Sequence, residues 1–382
     1  MLFDEKSLCP PTIGGRAKPY QSSGGREDMN KTMMALRAFA PYDYRLVEVD
    51  VPQVSGKEIL VKVKACGICA GDIKAFHGGI RIWGTSPLTR YIEAPVTGGH
   101  EFFGEVVKVG EEVEGYELGD LITAEQIVPC NACDFCRDGH YWMCQESAVY
   151  GFKAHAQGGF AEYIKLHSNS ILHKIPKSFT AEQAVMIEPY ACGMHAAERA
   201  GIRHSDVVVV GGLGAIGLAI ANVVKLSLPK TIIGIDLRPR RLQLGKEYGC
   251  DIVLNPKDCD VVSEIKKITA GKGCDVYIES SGSEAGVRQG LDAIRNLGRY
   301  VQFGVFADEV KADWNIIGDS KEIQILGSHL SALCYDAVIG GIGSGLLRTE
   351  GLISHTFKLS DWAKAFETAE KDPAAMKVAL RP

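Results

Sequence analysis

Four cysteines crowd one short segment. Cys130, Cys133, Cys136 and Cys144 stand in the spacing C-x2-C-x2-C-x7-C. Four thiolates satisfy a tetrahedral Zn²⁺, which prefers soft sulfur in closed structural sites. The short spacings let one loop wrap the ion, so binding energy becomes folding energy for that loop. An iron–sulfur cluster or unliganded thiols are the alternatives for such a cluster. With four protein ligands the ion has no open position and should not catalyse.

A second set of donors is dispersed. It comprises Cys66-Gly67-Ile68-Cys69-Ala70-Gly71-Asp72, then Gly98-Gly99-His100-Glu101-Phe102, then Ile187-Glu188-Pro189. Cys69, His100, Glu101 and Glu188 are one soft, one borderline and two hard donors on separate segments. Spacing alone makes them no more than metal-ligand candidates. The C-x-x-C of Cys66 and Cys69 could also be a redox pair, but a small buried cysteine suits Cys66 better. Cys192, Cys250, Cys274 and Cys334 read as core, and His77, His155, His167 and His195 carry no motif.

A third feature is Val210-Gly211-Gly212-Leu213-Gly214-Ala215-Ile216-Gly217, which supplies G-x-G-x-x-G at Gly212, Gly214 and Gly217. Gly212 allows a tight turn, Gly214 a close approach of backbone to diphosphate, and Gly217 close packing of helix on strand. The diphosphate would sit at the helix N-terminus, at Ala215 and Ile216. Asp236 follows about 20 residues on, where a carboxylate bonds the adenosine ribose and repels a 2′-phosphate. That favours NAD. Arg238, Arg240 and Arg241 follow closely, and an arginine such as Arg241 could host the phosphate of NADP. Otherwise Asp236 is a helix cap and the arginines a solvated face.

These residues need elements to hold them. Ile59 to Ala65 alternates apolar and basic residues, as a half-buried strand does. Phe102 to Gly110 reads likewise, and glycines and prolines punctuate the chain to about residue 170. After Glu188-Pro189 the pattern changes. Ala191–Ala200 looks helical, and Val207–Val210 is an apolar run suited to a strand buried on both faces. Helices over 215–226, 238–248 and 261–269 then alternate with strands over 231–236, 251–255, 275–279 and 299–304. That alternation predicts an α/β fold with a doubly wound parallel sheet, the Rossmann arrangement.

Composition agrees with this reading. Hydrophobic residues make 46% of the 382 and charged residues 23%, enough apolar surface to exclude a mainly disordered chain. A net charge of −5 carries no broad cationic field, so nucleic acid is not expected as a partner. No apolar run approaches a membrane span, and the first residues lack a signal-peptide pattern, so the expected compartment is cytoplasmic. Residues 1–32 have no hydrophobic period and read as a flexible N-terminal extension.

Taken together, the motifs resemble the zinc-dependent medium-chain alcohol dehydrogenases over roughly Met33 to Leu380. Gly67-Ile68-Cys69-x-x-Asp72, Gly99-His100-Glu101, the four-cysteine lobe, Glu188-Pro189 and the glycine fingerprint all occur in family order. The resemblance implies a mostly β, GroES-like catalytic domain at 33–190 and 331–382, with a structural zinc lobe, and an NAD-binding Rossmann domain at 191–330. It implies two Zn²⁺ per subunit, one catalytic and one structural. Cys69 and His100 would ligate the catalytic zinc, and Glu101 or Glu188 would be the third ligand or hold its water. Asp72 would orient the site through hydrogen bonds. It also implies a homodimer or homotetramer, with Ile323–Leu326 as a pairing edge.

Two departures touch the chemistry. Where many members carry a Ser or Thr that relays the alcohol proton, this chain has Gly71. Where many have a histidine, it has Lys74, which either lines a proton exit or is a surface lysine. Closer likeness points to a substrate. Cys69 to Gly78, Gln126 to Cys130, Tyr150 to Lys153, His195 to Ala200 and Tyr300 to Phe306 are similar to bacterial erythritol/threitol dehydrogenases. The expected reaction is oxidation of a secondary hydroxyl of a tetritol to a ketose, with hydride passed to NAD. Sorbitol, a pentitol or L-threonine is the alternative substrate, and a catalytically inactive NAD-binding relative the non-enzyme alternative. Arg81, Trp83, Tyr91, Tyr150 and Phe152 are candidate pocket residues.

Overall fold

The computed structural model describes residues 31–86 and 89–382. The extension expected over 1–32 therefore lies outside the described residues except for its last two, and Thr32 already begins a strand, Thr32–Ala40.

One half of the chain is built on six parallel strands. Their order across the sheet is Ile252–Leu254, Thr231–Ile235, Val207–Gly211, Cys274–Glu279, Ile294–Gln302 and Gln324–Gly327. The first three strands in sequence run outward from the centre and the last three run the other way, the doubly wound order. Val207–Gly211 sits at the centre and is buried at every residue. This is why its sequence is an unbroken apolar run. Helices Ala215–Leu226, Pro239–Glu247 and Val261–Ile268 connect the strands close to their expected bounds, and Glu284–Ala293 is a further helix that the sequence pattern does not reveal.

Two bounds differ from the sequence expectation. The strand ending at Gln302 begins at Ile294 rather than Arg299. Its early residues include Leu297, exposed and at φ +57°, and a register shift opposite Cys274–Val276, so no alternation shows in the sequence. The helix expected from Ala191 begins at Ile187 and so contains Glu188 and Pro189. Proline costs nothing in a first helical turn, where its missing N–H would have had no partner.

The other half is a seven-stranded sheet. Leu172–Lys174, Leu121–Ala124, Glu101–Val109, Ile59–Gly67, Lys377–Arg381 and Ile353–Lys358 follow one another across it, and Tyr163–Leu166 also pairs with Ile59–Gly67. The C-terminal strands thus return to the sheet begun near residue 59. A core of Ile59, Val61, Phe102, Val106, Ile164 and Val378 lies beneath it. In the parallel half, Val208, Val210, Ile220, Val276 and Ile278 form a core shared with the buried helix Ile187–Ala200.

The register decides what meets at the site. Gly67 pairs with Glu101 on one side and with Ala379 on the other. Residues far apart in sequence therefore converge around the end of Ile59–Gly67, just before Cys69. Among the described residues, no helix is long and apolar enough to cross a membrane.

Candidate active site

Cys69 is the N-cap of a short helix, Ala70–Phe76. Its N–H donates to Asp72 Oδ2 at 2.8 Å, so Asp72 fixes the turn that presents the thiol. Asp72 Oδ1 also faces His100 Nδ1 at 3.9 Å, too long for a hydrogen bond. His100 leaves Gly99, whose φ of +90° and close neighbours admit no side chain. A Cβ there would stand 2.7 Å from the Phe160 ring and 2.8 Å from Cys66 Sγ. Glu101 opens the next strand, with its carboxylate folded over Gly67, where a Cβ would come within 2.1 Å of Oε2. The Gly-His-Glu and Gly-x-Cys spellings thus have steric causes.

One donor atom each from Cys69, His100 and Glu101 lies within 4.8 Å of the other two. Glu188 is outside that trio but shares its electrostatics. Burial, then the Glu101 charge, pushes the Glu188 carboxyl up to about 7. Burial opposes a charged His100 ring, yet Cys69, Asp72 and Glu188 together hold its pKa well above the usual value. The site thus gathers acidic groups and an imidazole whose mutual charges raise the proton affinity of His100 and Glu188. A thiolate, an imidazole and carboxylates fit Zn²⁺ in chemistry, and buried His100 Nδ1 has no hydrogen-bond partner.

The two glutamates differ in their partners. Glu101 is 1% exposed, and both its oxygens accept from Lys377 Nζ, at 2.5 and 2.7 Å. Burial disfavours the Lys377 charge, but Glu101 more than compensates and raises its pKa. Among the described residues, the hydrogen-bond donors to Glu188 are neutral: Oε1 accepts from Gln126 Nε2 at 2.8 Å and from Cys192 Sγ at 3.3 Å. Sequence reading missed Lys377. A lone lysine opening the apolar run Lys377 to Leu380 is the one local signal of it.

Lys74 is not a free surface lysine. Its Nζ donates to the Val305 carbonyl at 2.5 Å, across 231 residues of sequence, and burial lowers its pKa. Gly71 leaves no hydroxyl beside Cys69. Among the pocket candidates, Phe152 has its ring 5.8 Å from that of His100. Tyr150 is fully buried and bonded to Ser170, so it belongs to the core. Trp83 donates to the Ala75 carbonyl at 2.7 Å and Tyr91 to that of Ser147 at 2.8 Å. Trp83 and Tyr91 are thus each tied down by their own polar atom.

Cys130, Cys133, Cys136 and Cys144 also meet within 4.8 Å. Cys130 Sγ and Cys136 Sγ are 4.0 Å apart, near the edge of about 3.8 Å of a tetrahedron with 2.3 Å Zn–S bonds. Backbone N–H groups of Ala132 and Cys133 donate to Cys130 Sγ, and that of Cys130 to Cys144 Sγ. The N–H groups of Gln145 and Cys136 bring the Cys133 thiol down to about 6. These groups favour thiolates, as a closed zinc site requires.

At the glycine fingerprint, Gly212 has φ +93° with the Ser281 backbone 2.9 Å from a would-be Cβ. At Gly217 a Cβ would fall 1.8 Å from the Gly212 carbonyl oxygen. Gly214 caps helix Ala215–Leu226 with no side-chain bond to its free N–H groups, so the N-terminus at Ala215 and Ile216 suits an anion. Asp236 directly follows the neighbouring strand Thr231–Ile235 and accepts from Leu213 N and Arg238 N, both at 2.9 Å. Arg241 lies 3.6 Å from Asp236, with its Nε buried and unpartnered. The loop fits a dinucleotide.

Two family profiles match the chain. The alcohol dehydrogenase GroES-like domain covers residues 55–177, and the zinc-binding dehydrogenase domain covers 212–340. The chain is 41% identical over 353 residues to the erythritol/L-threitol dehydrogenase of Mycolicibacterium smegmatis, spanning 92% of this chain and 98% of that one. The chain belongs to the zinc-binding dehydrogenase family. This dehydrogenase is also 33% identical over 343 residues to a sorbitol dehydrogenase of Halalkalibacterium halodurans, spanning 89% and 96% of the two chains. The crystal structure of an Escherichia coli alcohol dehydrogenase complexed with NADH superimposes with a TM-score of 0.82 at 29% identity, covering 92% of this chain and all of that one. The dehydrogenase is therefore an oxidoreductase with the family's pairing of a GroES-like and a parallel α/β half, and the inactive reading falls away.

Proposed function

We propose that this enzyme oxidises a secondary hydroxyl of a small sugar alcohol, a tetritol such as erythritol or threitol, to a ketose, with hydride passing to NAD. The observation that carries this reading is the trio of half-buried Cys69 with buried His100 and Glu101, with Glu188 acting on it electrostatically. When bound, zinc supplies Lewis-acid polarisation of the substrate hydroxyl, and the nicotinamide accepts the hydride. Cys69 and His100 would hold the metal. Glu101 is already paired with Lys377, so Glu188 would be the carboxylate left available to the metal. Asp72 holds the Cys69 turn in place. Gly71 provides no hydroxyl, so the substrate proton leaves through water past the carboxylates rather than through a side-chain relay.

The cofactor would lie with its diphosphate on Gly212, Gly214, Ala215, Ile216 and Gly217, and its ribose on Asp236 beside Arg241. Lys74, bonded to Val305, would tie the helix after Cys69 to the parallel half and so help exclude water from the hydride path. Cys130, Cys133, Cys136 and Cys144 would hold a second, structural zinc. The domain limits 33–190 with 331–382, and 191–330, belong to the same reading. So do a cytoplasmic location and a homodimer or homotetramer paired through the edge strand Gln324–Gly327.

The likeness to an erythritol/L-threitol dehydrogenase supports the tetritol. The likeness to a sorbitol dehydrogenase keeps longer polyols in the test. The purified enzyme is offered tetritols, pentitols, hexitols and L-threonine with NAD or NADP, and NADH or NADPH absorbance is followed. The highest kcat/KM should fall on a tetritol with NAD. Preference for L-threonine, or no turnover with any polyol, would overturn the reading.

A further inference from the structure

Glu188 sits in a buried network that the reaction scheme leaves unused. Gln126 is 1% exposed and lies 62 residues from Glu188 in sequence. Its amide nitrogen donates to Glu188 Oε1 at 2.8 Å and to Cys192 Sγ at 3.3 Å. Its amide oxygen accepts from Ser331 Oγ at 2.6 Å and from Tyr335 Oη at 3.4 Å. Both donor hydrogens and one lone pair are thereby used, and Tyr335 stands at long range from the other lone pair.

We propose that Gln126, oriented by Ser331, is a positioning residue that locks Glu188 Oε1 and leaves Oε2 free for the catalytic metal. The inference rests on the reading of Glu188 as a metal-directed carboxylate. Among the described residues, the hydrogen bonds to the Glu188 side chain all end on Oε1. An Oε1 tied by two donors cannot rotate toward an ion without breaking both bonds. The carboxylate therefore presents its other oxygen.

The amide could in principle sit the other way round. That flip would set a carbonyl oxygen against the Glu188 carboxylate at the present 2.8 Å, which is repulsive in a dry site. Ser331 removes the remaining freedom by donating to the carbonyl side. Without its hydroxyl, the carbonyl keeps only the 3.4 Å contact to Tyr335, beyond the usual O–H···O range. A partly satisfied buried network tilts or hydrates, and Glu188 moves with it.

The four-cysteine lobe braces the same pair. Tyr141, between Cys136 and Cys144, has its hydroxyl 2.7 and 2.8 Å from the two Glu125 oxygens, and it accepts the Leu333 N–H at 2.8 Å. Glu125 adjoins Gln126, and Leu333 lies two residues beyond Ser331. One phenol thus ties together both segments that form the Gln126–Ser331 contact.

The test uses the full chain with its catalytic site loaded with Co²⁺, whose thiolate charge-transfer and d–d bands report the ligand set. The Cys69→Ser variant provides the reference that isolates the Cys69-dependent band. Ser331→Ala and Gln126→Leu should each weaken Co²⁺ binding at this site about ten- to a hundredfold, the usual effect of losing a partner behind a ligand. Both should also shift the d–d bands, while far-UV circular dichroism and NADH binding stay as in the parent. Ser331→Thr, which keeps the hydroxyl, should restore the parent spectrum. The proposal is overturned if Ser331→Ala and Gln126→Leu bind Co²⁺ with parental affinity and superimposable spectra. It is equally overturned if Ser331→Thr behaves as Ser331→Ala, since the hydroxyl would then not be the cause. A parent enzyme with no Cys69-dependent band would instead overturn the metal-site reading, and this inference with it.

Discussion

Replacing Lys377 with methionine should destabilise the enzyme far more than the loss of one surface ion pair. Lys377 is 6% exposed and Glu101 1% exposed, and the ammonium lies 2.5 and 2.7 Å from the two carboxylate oxygens. It also donates to the Ile68 carbonyl at 3.2 Å, next to Cys69. Methionine fills the volume but leaves a buried carboxylate without its cation. Breaking a buried pair in this way costs about 3–5 kcal/mol. With an unfolding entropy near 2.1 cal/mol/K per residue, the roughly 350 residues from Thr32 to Pro382 give ~0.7 kcal/mol/K. The thermal midpoint should therefore fall by about 4–7 °C, measured by calorimetry on the metal-loaded enzyme. The double variant Lys377→Met with Glu101→Gln should lose less than the sum of the single variants, because neither then strands a charge. A Lys377→Met enzyme melting within a degree or so of the parent, or strictly additive single effects, would refute the claim that this pair is dry and tightly coupled.

Cys69→Ser and His100→Ala should each nearly abolish polyol oxidation while leaving NADH binding, followed by fluorescence, within about threefold of the parent. Near-parental turnover in a variant shown to lack the catalytic metal would sink the site assignment. Cys136→Ser should release one zinc per subunit in metal analysis and open residues 130–144 to protease. An unchanged zinc content and cleavage pattern would contradict a metal-folded lobe. His173 gives a pH test. Burial opposes its charge, but the Glu125 carboxylate 3.5 Å from Nε2 and the Asp336 carboxylate, which accepts from Nδ1 at 2.6 Å, outweigh this and raise its pKa in the fold. A raised pKa contributes stability that is complete below the unfolded value of about 6.5 and is lost as pH rises through the folded value. The advantage of the parent over His173→Gln in thermal midpoint should therefore be largest at acid pH and shrink above that value. A constant difference would show that the imidazole gains no proton-linked stability.

Much of this protein is local, and what is local is legible in the chain. The helix Ala215–Leu226 matches its expected bounds because its glycines, its apolar run and the preceding strand lie within about 20 residues of one another. Cys130 to Cys144 announces its own convergence, since a loop of that length has little choice of geometry once four thiolates share an ion. Gly99, His100 and Glu101 are spelled together because a strand start at φ +90° tolerates only glycine in that space.

Tertiary structure decided the rest. Nothing near Glu101 or Glu188 in sequence says which of them meets a cation. Glu101 does, because Gly67 pairs with both Glu101 and Ala379 and so brings in Lys377 from 276 residues away. Glu188 meets a neutral amide instead, supplied by Gln126 and held by Ser331 across 205 residues. Periodicity and spacing report which face a residue occupies, not which distant segment packs against it. That choice is made by sheet register and burial, where a charge must find its counter-ion and an amide its partners or the fold loses stability.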